Sequence, residues 1–303
     1  MLRVPPLPLA PGAYRWLYAD AQCGPYAVVC IFMVGALFSP RYAVAQRRGA
    51  RPLAHCAVNC ALHRDGRRLA WVFTEHPGAL VEDGGRTLRI GHSRFRYQDD
   101  GRVAIAVDEH TAPWGRALRL DLTLAPGAPA GPELPLDGEG RHRWQPLAPR
   151  ATASLELADG TRVAGIGYHD TNHGAERLGL GLRGWRWSRV HDEGATWIRY
   201  LPPAPARAIE VVARPDGVEV QRTARVHEPM RRSGWGLALP AAIRAGEHVV
   251  PATHLLESSP FYARQQGRQG GALALAEVAD FARFHSPLIR WMAHFRMRVE
   301  RAA

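Results

Sequence analysis

Two short stretches of the sequence set acid–base and aromatic side chains two residues apart. Gly140-Arg-His-Arg-Trp144 carries His142 and Trp144, and Gly165-Ile-Gly-Tyr-His-Asp-Thr-Asn172 carries Tyr168 and Asp170. In an extended strand, residues i and i+2 share a face. His142 and Trp144 therefore point one way and Arg141 and Arg143 the other, while Tyr168 and Asp170 share a face that His169 opposes. Paired placements of this kind are how barrels aim side chains into a cavity, and here they would bring together a carboxyl, an imidazole, a phenol and an indole. Gly165 and Gly167 leave room for the close approach of another backbone or a ligand. Either pair alone also describes ordinary core aromatics, and an Asp before Thr-Asn also describes a turn. The coincidence of two pairs with compatible chemistry raises the functional reading, while core packing remains the commoner role of such residues.

The rest of the composition narrows that chemistry. All 39 basic residues of the 303 are Arg, so the chain contains no Lys. A Schiff-base lysine, a P-loop lysine and a lysine general base are excluded. Carboxylate, imidazole and phenol remain as the main proton donors.

The elements that must position these residues read as short strands. Asp-Gly pairs at 65–66, 100–101, 159–160 and 216–217 each separate segments of strand character, a strong hairpin signal. Regular strands without intervening long helices predict an all-β fold of sandwiches or barrels. The Pro-, Gly- and Ala-rich segment Ala125 to Pro135 reads as a linker or long surface loop, and a division near residue 150 gives two β units, 1–150 and 151–303. Helical spacing is confined to Pro287–Val299, with Leu288, Trp291, Met292 and Phe295 in helical register and Arg290, Arg296 and Arg298 beside them. That segment is either packed on a barrel or rests as a basic amphipathic surface on anionic lipid.

A hydrophobic share of 46% and a charged share of 22% describe a soluble globular chain. The net charge of +11 suits an anionic surface, nucleic acid or phospholipid, although a GC-rich coding bias also favours Arg. Basic residues cluster only in pairs and no aromatic residues interleave with a basic patch, so nucleic-acid binding is not expected. Cys23, Cys30, Cys56 and Cys60 lack a CxxC spacing and read as free buried thiols. The apolar run from Tyr26 to Phe38 is too short for a membrane-spanning helix and reads as a buried strand. The N-terminus is too proline-broken for a secretory signal. The sequence thus predicts a cytoplasmic protein, at most peripheral to a membrane.

Longer stretches carry a resemblance. Pro11-Gly-Ala-Tyr-Arg-Trp-Leu-Tyr-Ala-Asp20, Gly35-Ala-Leu-Phe-Ser-Pro-Arg-Tyr-Ala43, His55-Cys-Ala-Val-Asn59, Asp108-Glu-His-Thr-Ala-Pro113, Gly140-Arg-His-Arg-Trp144, Gly167-Tyr-His-Asp-Thr-Asn172 and Trp185-Arg-Trp-Ser-Arg189 together resemble the acyclic carotenoid 1,2-hydratases, or hydroxyneurosporene synthases, of purple bacteria. The resemblance runs from Gly12 to about Val299. It departs from the family pattern at Tyr168-His-Asp-Thr-Asn172, where Ser is usual in place of Thr171, and after Asp20, where the chain is short. The resemblance implies two lipocalin-like antiparallel β-barrels in tandem with few helices. It also implies a hydro-lyase that needs no metal or redox cofactor, and a polyene substrate taken from the inner (intracytoplasmic) membrane with which the protein is peripherally associated. The catalytic set it implies is His142, Trp144, Tyr168 and Asp170.

Hydrating a terminal C1=C2 double bond requires protonation at C2, so that positive charge falls on the tertiary C1, followed by capture of water. Asp170 is the expected acid, its proton retained by burial. Trp144 and Tyr168 would face the cation, and His142 would hold the water or accept its proton. A non-catalytic carotenoid carrier, or a cyclase or isomerase on a related scaffold, would share much of this pattern; hydration alone adds the mass of one water.

Overall fold

The computed structural model describes residues 2–8 and 10–300. The chain begins with β1 (Tyr14–Cys23), β2 (Tyr26–Val34), a short helix α1 (Pro40–Ala45), β3 (Cys56–Arg64) and β4 (Arg67–His76). The small strands β5 (Leu80–Glu82), β6 (Thr87–Ile90) and β7 (Ser93–Tyr97) lead to β8 (Val103–His110) and β9 (Ala117–Pro126). After β10 (Leu134–Pro135) come two long strands, β11 (His142–Leu157) and β12 (Arg162–Gly174). All of them join one sheet, ordered β5-β6-β7-β8-β9-β11-β12-β1-β2-β3-β4, with β10 added on β11 and a C-terminal strand, Arg298–Val299, running parallel to β4.

A second sheet is built from later segments: β13 (Gly184–His191), β14 (Thr196–Leu201), β15 (Ala208–Arg214) and β16 (Gly217–Thr223). Two short pairs follow, β17 (Met230–Arg232) with β18 (Ala238–Pro240), and β19 (Ala242–Ala245) with β20 (His248–Pro251). Then β21 (His254–Ser258), β22 (Tyr262–Gln269) and β23 (Ala272–Asp280) complete a seven-stranded order β16-β15-β14-β13-β23-β22-β21. Helices α2 (Phe281–Phe284) and α3 (Pro287–His294) follow, ahead of the C-terminal strand Arg298–Val299.

The structure is mostly β, as the hairpin spacing predicts. The Asp-Gly pairs at 65–66, 100–101, 159–160 and 216–217 lie where consecutive antiparallel strands reverse: β3–β4, β7–β8, β11–β12 and β15–β16. At the first, Asp65 and Gly66 both take positive φ, 49° and 74°, as a tight primed turn requires.

The large sheet curls on itself. Phe32 of β2 packs against Phe95 of β7 with ring centroids 5.6 Å apart, and His76 of β4 lies 3.3 Å from Glu109 of β8. The enclosed core contains Leu17, Phe32, Val58, Phe95 and Leu122 together with all four cysteines, which are free. Residues of the opposite face, including Trp16, Tyr18, Met33, Trp144 and Tyr168, are also buried, because the second sheet covers them with Trp187, Ile198, Tyr200 and Leu275. Burial on both faces explains why β1 to β3 read as nearly continuous apolar runs, whereas β8 and β9, covered on one face, alternate.

Two boundary expectations change. The segment Ala125–Pro135 joins neighbours of the same sheet, since β11 pairs with β9 on return. Residue 150, placed by composition between the units 1–150 and 151–303, falls inside β11, whose ladders to β9 and β12 keep it in the first sheet. The change of sheet comes after Gly174. Composition reports the loop; only strand pairing reports which sheet the chain rejoins.

Candidate active site

Asp170 is at the centre of the buried face shared by the two sheets. On β12 it pairs in register with Tyr18 of β1 and Pro146 of β11. The i, i+2 rule then sets Tyr168, Asp170 and Asn172 on one side of β12, and Trp16 and Tyr18 on the same side of β1. Asp170 Oδ2 accepts from the Tyr168 hydroxyl at 2.6 Å and from Trp144 Nε1 at 2.8 Å. Asn172 Nδ2 donates to Oδ1 at 3.3 Å. Two short bonds occupy Oδ2 and only the longer Asn172 bond reaches Oδ1, so Oδ1 is the oxygen with room to carry a proton.

Burial pushes the Asp170 carboxyl from 3.8 up to about 7. The bonds from Tyr168 and Trp144 oppose that rise, and the carboxylates of Glu277 and Asp20 add to it. Among the described residues, no Arg or His forms an ion pair with Asp170. The other carboxylates of this region are compensated: Arg189 pairs with Asp20 at 2.6 Å, and the buried Arg264 pairs with both Glu277 and Glu257. Tyr18 donates to Glu277 at 2.9 Å, and Trp71 Nε1 donates to Glu257 at 3.0 Å. Asp170 is thus the carboxyl with most reason to remain protonated.

Asp170 faces a cavity of about 260 Å³ between the sheets. Its walls are mainly aromatic, with Trp16, Tyr18, Trp185, Trp187 and Tyr200 around the carboxyl and Phe38, Phe73 and Phe261 farther along. The rings abut: Tyr18 and Trp187 are 5.9 Å apart between centroids, Trp16 and Trp185 5.8 Å, and Trp185 and Tyr200 6.2 Å. The indole N–H groups of Trp16 and Trp187 are buried without a partner among the described residues. Asn59 and Asn172, the chain's two asparagines, both line this space. The cavity reaches the surface at Arg68, Trp235 and Arg296, all exposed.

Of the four residues singled out by spacing, the fold brings three together. Trp144 and Tyr168 grip the carboxylate from outside the cavity wall, so their rings do not face the space itself. His142 is fully buried but lies elsewhere: Nδ1 is 3.0 Å from the Tyr14 hydroxyl and Nε2 is 3.3 Å from Glu176 Oε1, and it does not line the cavity. Burial lowers its pKa against the pull of Glu176 and Asp137. The ligand atoms of Asp137, His142 and Glu176 lie within 4.8 Å of one another. Much of that donor set is already engaged: Asp137 Oδ1 accepts from Arg141 N–H, and Glu176 Oε1 from Gly181 N–H. His169, on the opposite face as expected, bonds the Tyr18 carbonyl at 2.8 Å and lies 3.0 Å from the Tyr97 hydroxyl.

Spacing passed over the residues that form the walls. Trp16/Tyr18 and Trp185/Trp187 show the same i, i+2 spacing as His142/Trp144 and Tyr168/Asp170, and that spacing is a signal for them. Glu277 and Arg264 carry no local pattern, and only the pairing of β22 with β23 joins them.

Comparison with known proteins follows the same lines. The family model described as "Carotenoid hydratase CrtC" matches residues 30–303. An acyclic carotenoid 1,2-hydratase of Thiocapsa roseopersicina is 34% identical over 96% of this chain and 74% of its own length. Proteins of the same name from Rubrivivax gelatinosus and Rhodobacter capsulatus are 33% and 28% identical, over 87% and 88% of this chain and 66% and 96% of their own lengths. Among solved structures, a Nitrosomonas europaea protein assigned to AttH superposes with a TM-score of 0.60 at 15% identity, covering 90% of this chain and 92% of its own. CghA in complex with Sch210972 superposes at 0.55 and 14%, covering 92% and 94%. These two share the fold. With a family match over nearly its whole length and a protonatable carboxyl in an aromatic cavity, the chain belongs to the CrtC carotenoid hydratase family.

Proposed function

We propose that this protein adds water across the terminal C1=C2 double bond of an acyclic carotenoid such as lycopene or neurosporene, with Asp170 as the acid. The observation that carries the reading is a carboxyl without a cationic partner, raised to about 7, facing an aromatic cavity. An alkene is a very weak base, so its protonation needs an acid that stays protonated near neutrality and is not solvated by bulk water.

The Oδ1 proton of Asp170 passes to C2, the π electron pair becomes the new C2–H bond, and C1 is left as a tertiary cation. Trp16, Tyr18, Trp185, Trp187 and Tyr200 supply ring faces to that charge, each worth about 2 kcal/mol when the cation is desolvated. The ionised Asp170 is a counter-charge in the same space. Water held by the indole N–H groups of Trp16 and Trp187, or by Asn172, then bonds to C1 through an oxygen lone pair. Its surplus proton returns to Asp170. As written, the cycle draws on side chains and water, in keeping with a hydro-lyase independent of metal or redox cofactor. His142 takes a positioning role: with Tyr14 and Glu176 it fixes the start of β11, two residues before Trp144.

A space of about 260 Å³ is just below the roughly 300–1,000 Å³ of pockets for drug-sized ligands. It suits the end group of a polyene whose remainder extends toward the mouth. The fold reading that goes with this is a pair of lipocalin-like units, supported by a curled first sheet with its own core and a seven-stranded second sheet. A water-insoluble substrate and a net charge of +11 support peripheral placement on the cytoplasmic side of the inner membrane. Among the described residues, no helix is long and apolar enough to cross a membrane.

Expression in a lycopene-accumulating host, with pigments read by chromatography and mass, tests the reading. A product heavier by one water, with oxygen from labelled water, supports it. Binding without product identifies a carrier, and a product of unchanged mass an isomerase or cyclase.

A further inference from the structure

Helix α3 has two apolar faces. Ile289, Met292 and Ala293 point inward and form part of the cavity wall, close to Arg296 at its mouth. Leu288, Trp291 and Phe295 point outward and are 62%, 61% and 58% exposed. Trp291 and Phe295 lie edge to face with centroids 4.8 Å apart, so the outer face is a continuous ridge. Such a ridge is costly in water and needs an occupant.

The groove between α1 and α3 states the occupant's chemistry. It is lined by Arg41, Arg48 and His294, by the buried Arg290 and by His55, which pairs with the buried Glu75 at 2.7 Å, with Val44 and Trp291 on its rim; no carboxylate lines the groove itself. Arg47 and Arg177 are near enough that their charges, after burial, lower the pKa of Arg290. Among the described residues none of these five arginines has an acidic partner within 4 Å, whereas sixteen other arginines do. Unneutralised guanidinium groups beside exposed Trp, Leu and Phe match a phosphate layer over acyl chains.

We propose that α3 and the adjoining arginine groove form the surface by which this protein docks on an anionic phospholipid bilayer, with Leu288, Trp291 and Phe295 inserted and the cavity mouth at the edge of the contact. The proposal deepens the hydratase reading, on which its substrate rests. One helix is then both the anchor and part of the cavity wall, so the bilayer meets the protein where a polyene must enter.

The test compares co-sedimentation with vesicles of phosphatidylcholine alone and of an equal mixture with phosphatidylglycerol. The intact protein is expected to favour the mixed vesicles and to be released by salt. The variant Leu288→Ser/Trp291→Ser/Phe295→Ser is expected to lose at least about tenfold in partition. Arg41→Ser/Arg48→Ser is expected to lose the preference for phosphatidylglycerol. The serine variant should hydrate detergent-dispersed lycopene like the parent and fall behind on lycopene embedded in mixed vesicles. Equal partition of parent and serine variant overturns the proposal, as does equal binding of the parent to both vesicles. Failure of the parent on detergent-dispersed lycopene sinks the hydratase reading instead and leaves the binding result standing.

Discussion

Tyr168 donates its hydroxyl hydrogen to Asp170 Oδ2 over 2.6 Å although the two residues belong to one strand. The bond favours the ionised carboxylate and opposes the rise caused by burial. Removing it in Tyr168→Phe should raise the Asp170 pKa. A hydrogen bond to a charged group is worth about 1.5–3 kcal/mol, so the shift is roughly one to two pH units. Because the acid must be protonated, hydration declines as pH rises through about 7, and the variant's decline should move to higher pH. A rate profile whose alkaline limb stays put or moves down would contradict this.

Asp170→Asn keeps the size and removes the acid. Hydration should fall by about 10²–10⁴-fold, the range of general acid catalysis, while circular dichroism stays native. Near-normal turnover would remove Asp170 from the mechanism. The same variant reports on stability: folded Asp170 holds its proton to about 7, against 3.8 unfolded, so its contribution to stability falls as pH rises across that window. Denaturant titrations at pH 5 and pH 8 should show the parent losing stability relative to the variant across that interval.

Histidines produce the opposite slope. Burial lowers His169 and His173 from 6.5 to about 4. The unfolded chain binds these protons first, so stability falls as pH drops from 6.5 toward 4. His169→Gln should lessen the difference in melting temperature between pH 4.5 and pH 7. A difference as large as the parent's would place the acid sensitivity elsewhere.

His142→Gln should affect folding more than chemistry. The ring is buried between Tyr14 and Glu176 and does not line the cavity. Disturbing these contacts costs about 1–3 kcal/mol, readable as a lower melting temperature, with kcat of the folded fraction within about tenfold of the parent. A loss of kcat matching that of Asp170→Asn, at unchanged melting temperature, would return to His142 the water-handling role that its sequence position suggested.

Trp187 is the wall residue that best separates cation stabilisation from packing. Its ring lines the cavity and lies 5.3 Å from that of Tyr168. Trp187→Leu removes a π face worth about 2 kcal/mol, so kcat should fall by about thirtyfold. Trp187→Phe should retain most of the rate. Equal losses in the two variants would assign the effect to shape.

The sequence alone determined the features that local chemistry enforces. Asp-Gly pairs can close tight turns, so the hairpins at Asp65, Asp100, Asp159 and Asp216 were legible. A period of two fixes which side chains share a face, so Tyr168 with Asp170, and His142 with Trp144, were legible as pairs. The absence of Lys limited the proton donors before any fold was known. What the faces look upon is a non-local matter. Shared facing did not bring His142 to the carboxyl, because two residues along β11 it meets Tyr14 and Glu176 instead of Asp170. The site lies between two sheets because β13, β14 and β23 cover the outer side of β1 and β12, a contact between segments far apart in the chain. Only that packing removes water from Asp170 and surrounds it with Trp16, Trp185 and Trp187. An ordinary aspartate becomes an acid near neutrality because of where the chain returns, and no spacing within Gly165–Asn172 encodes that.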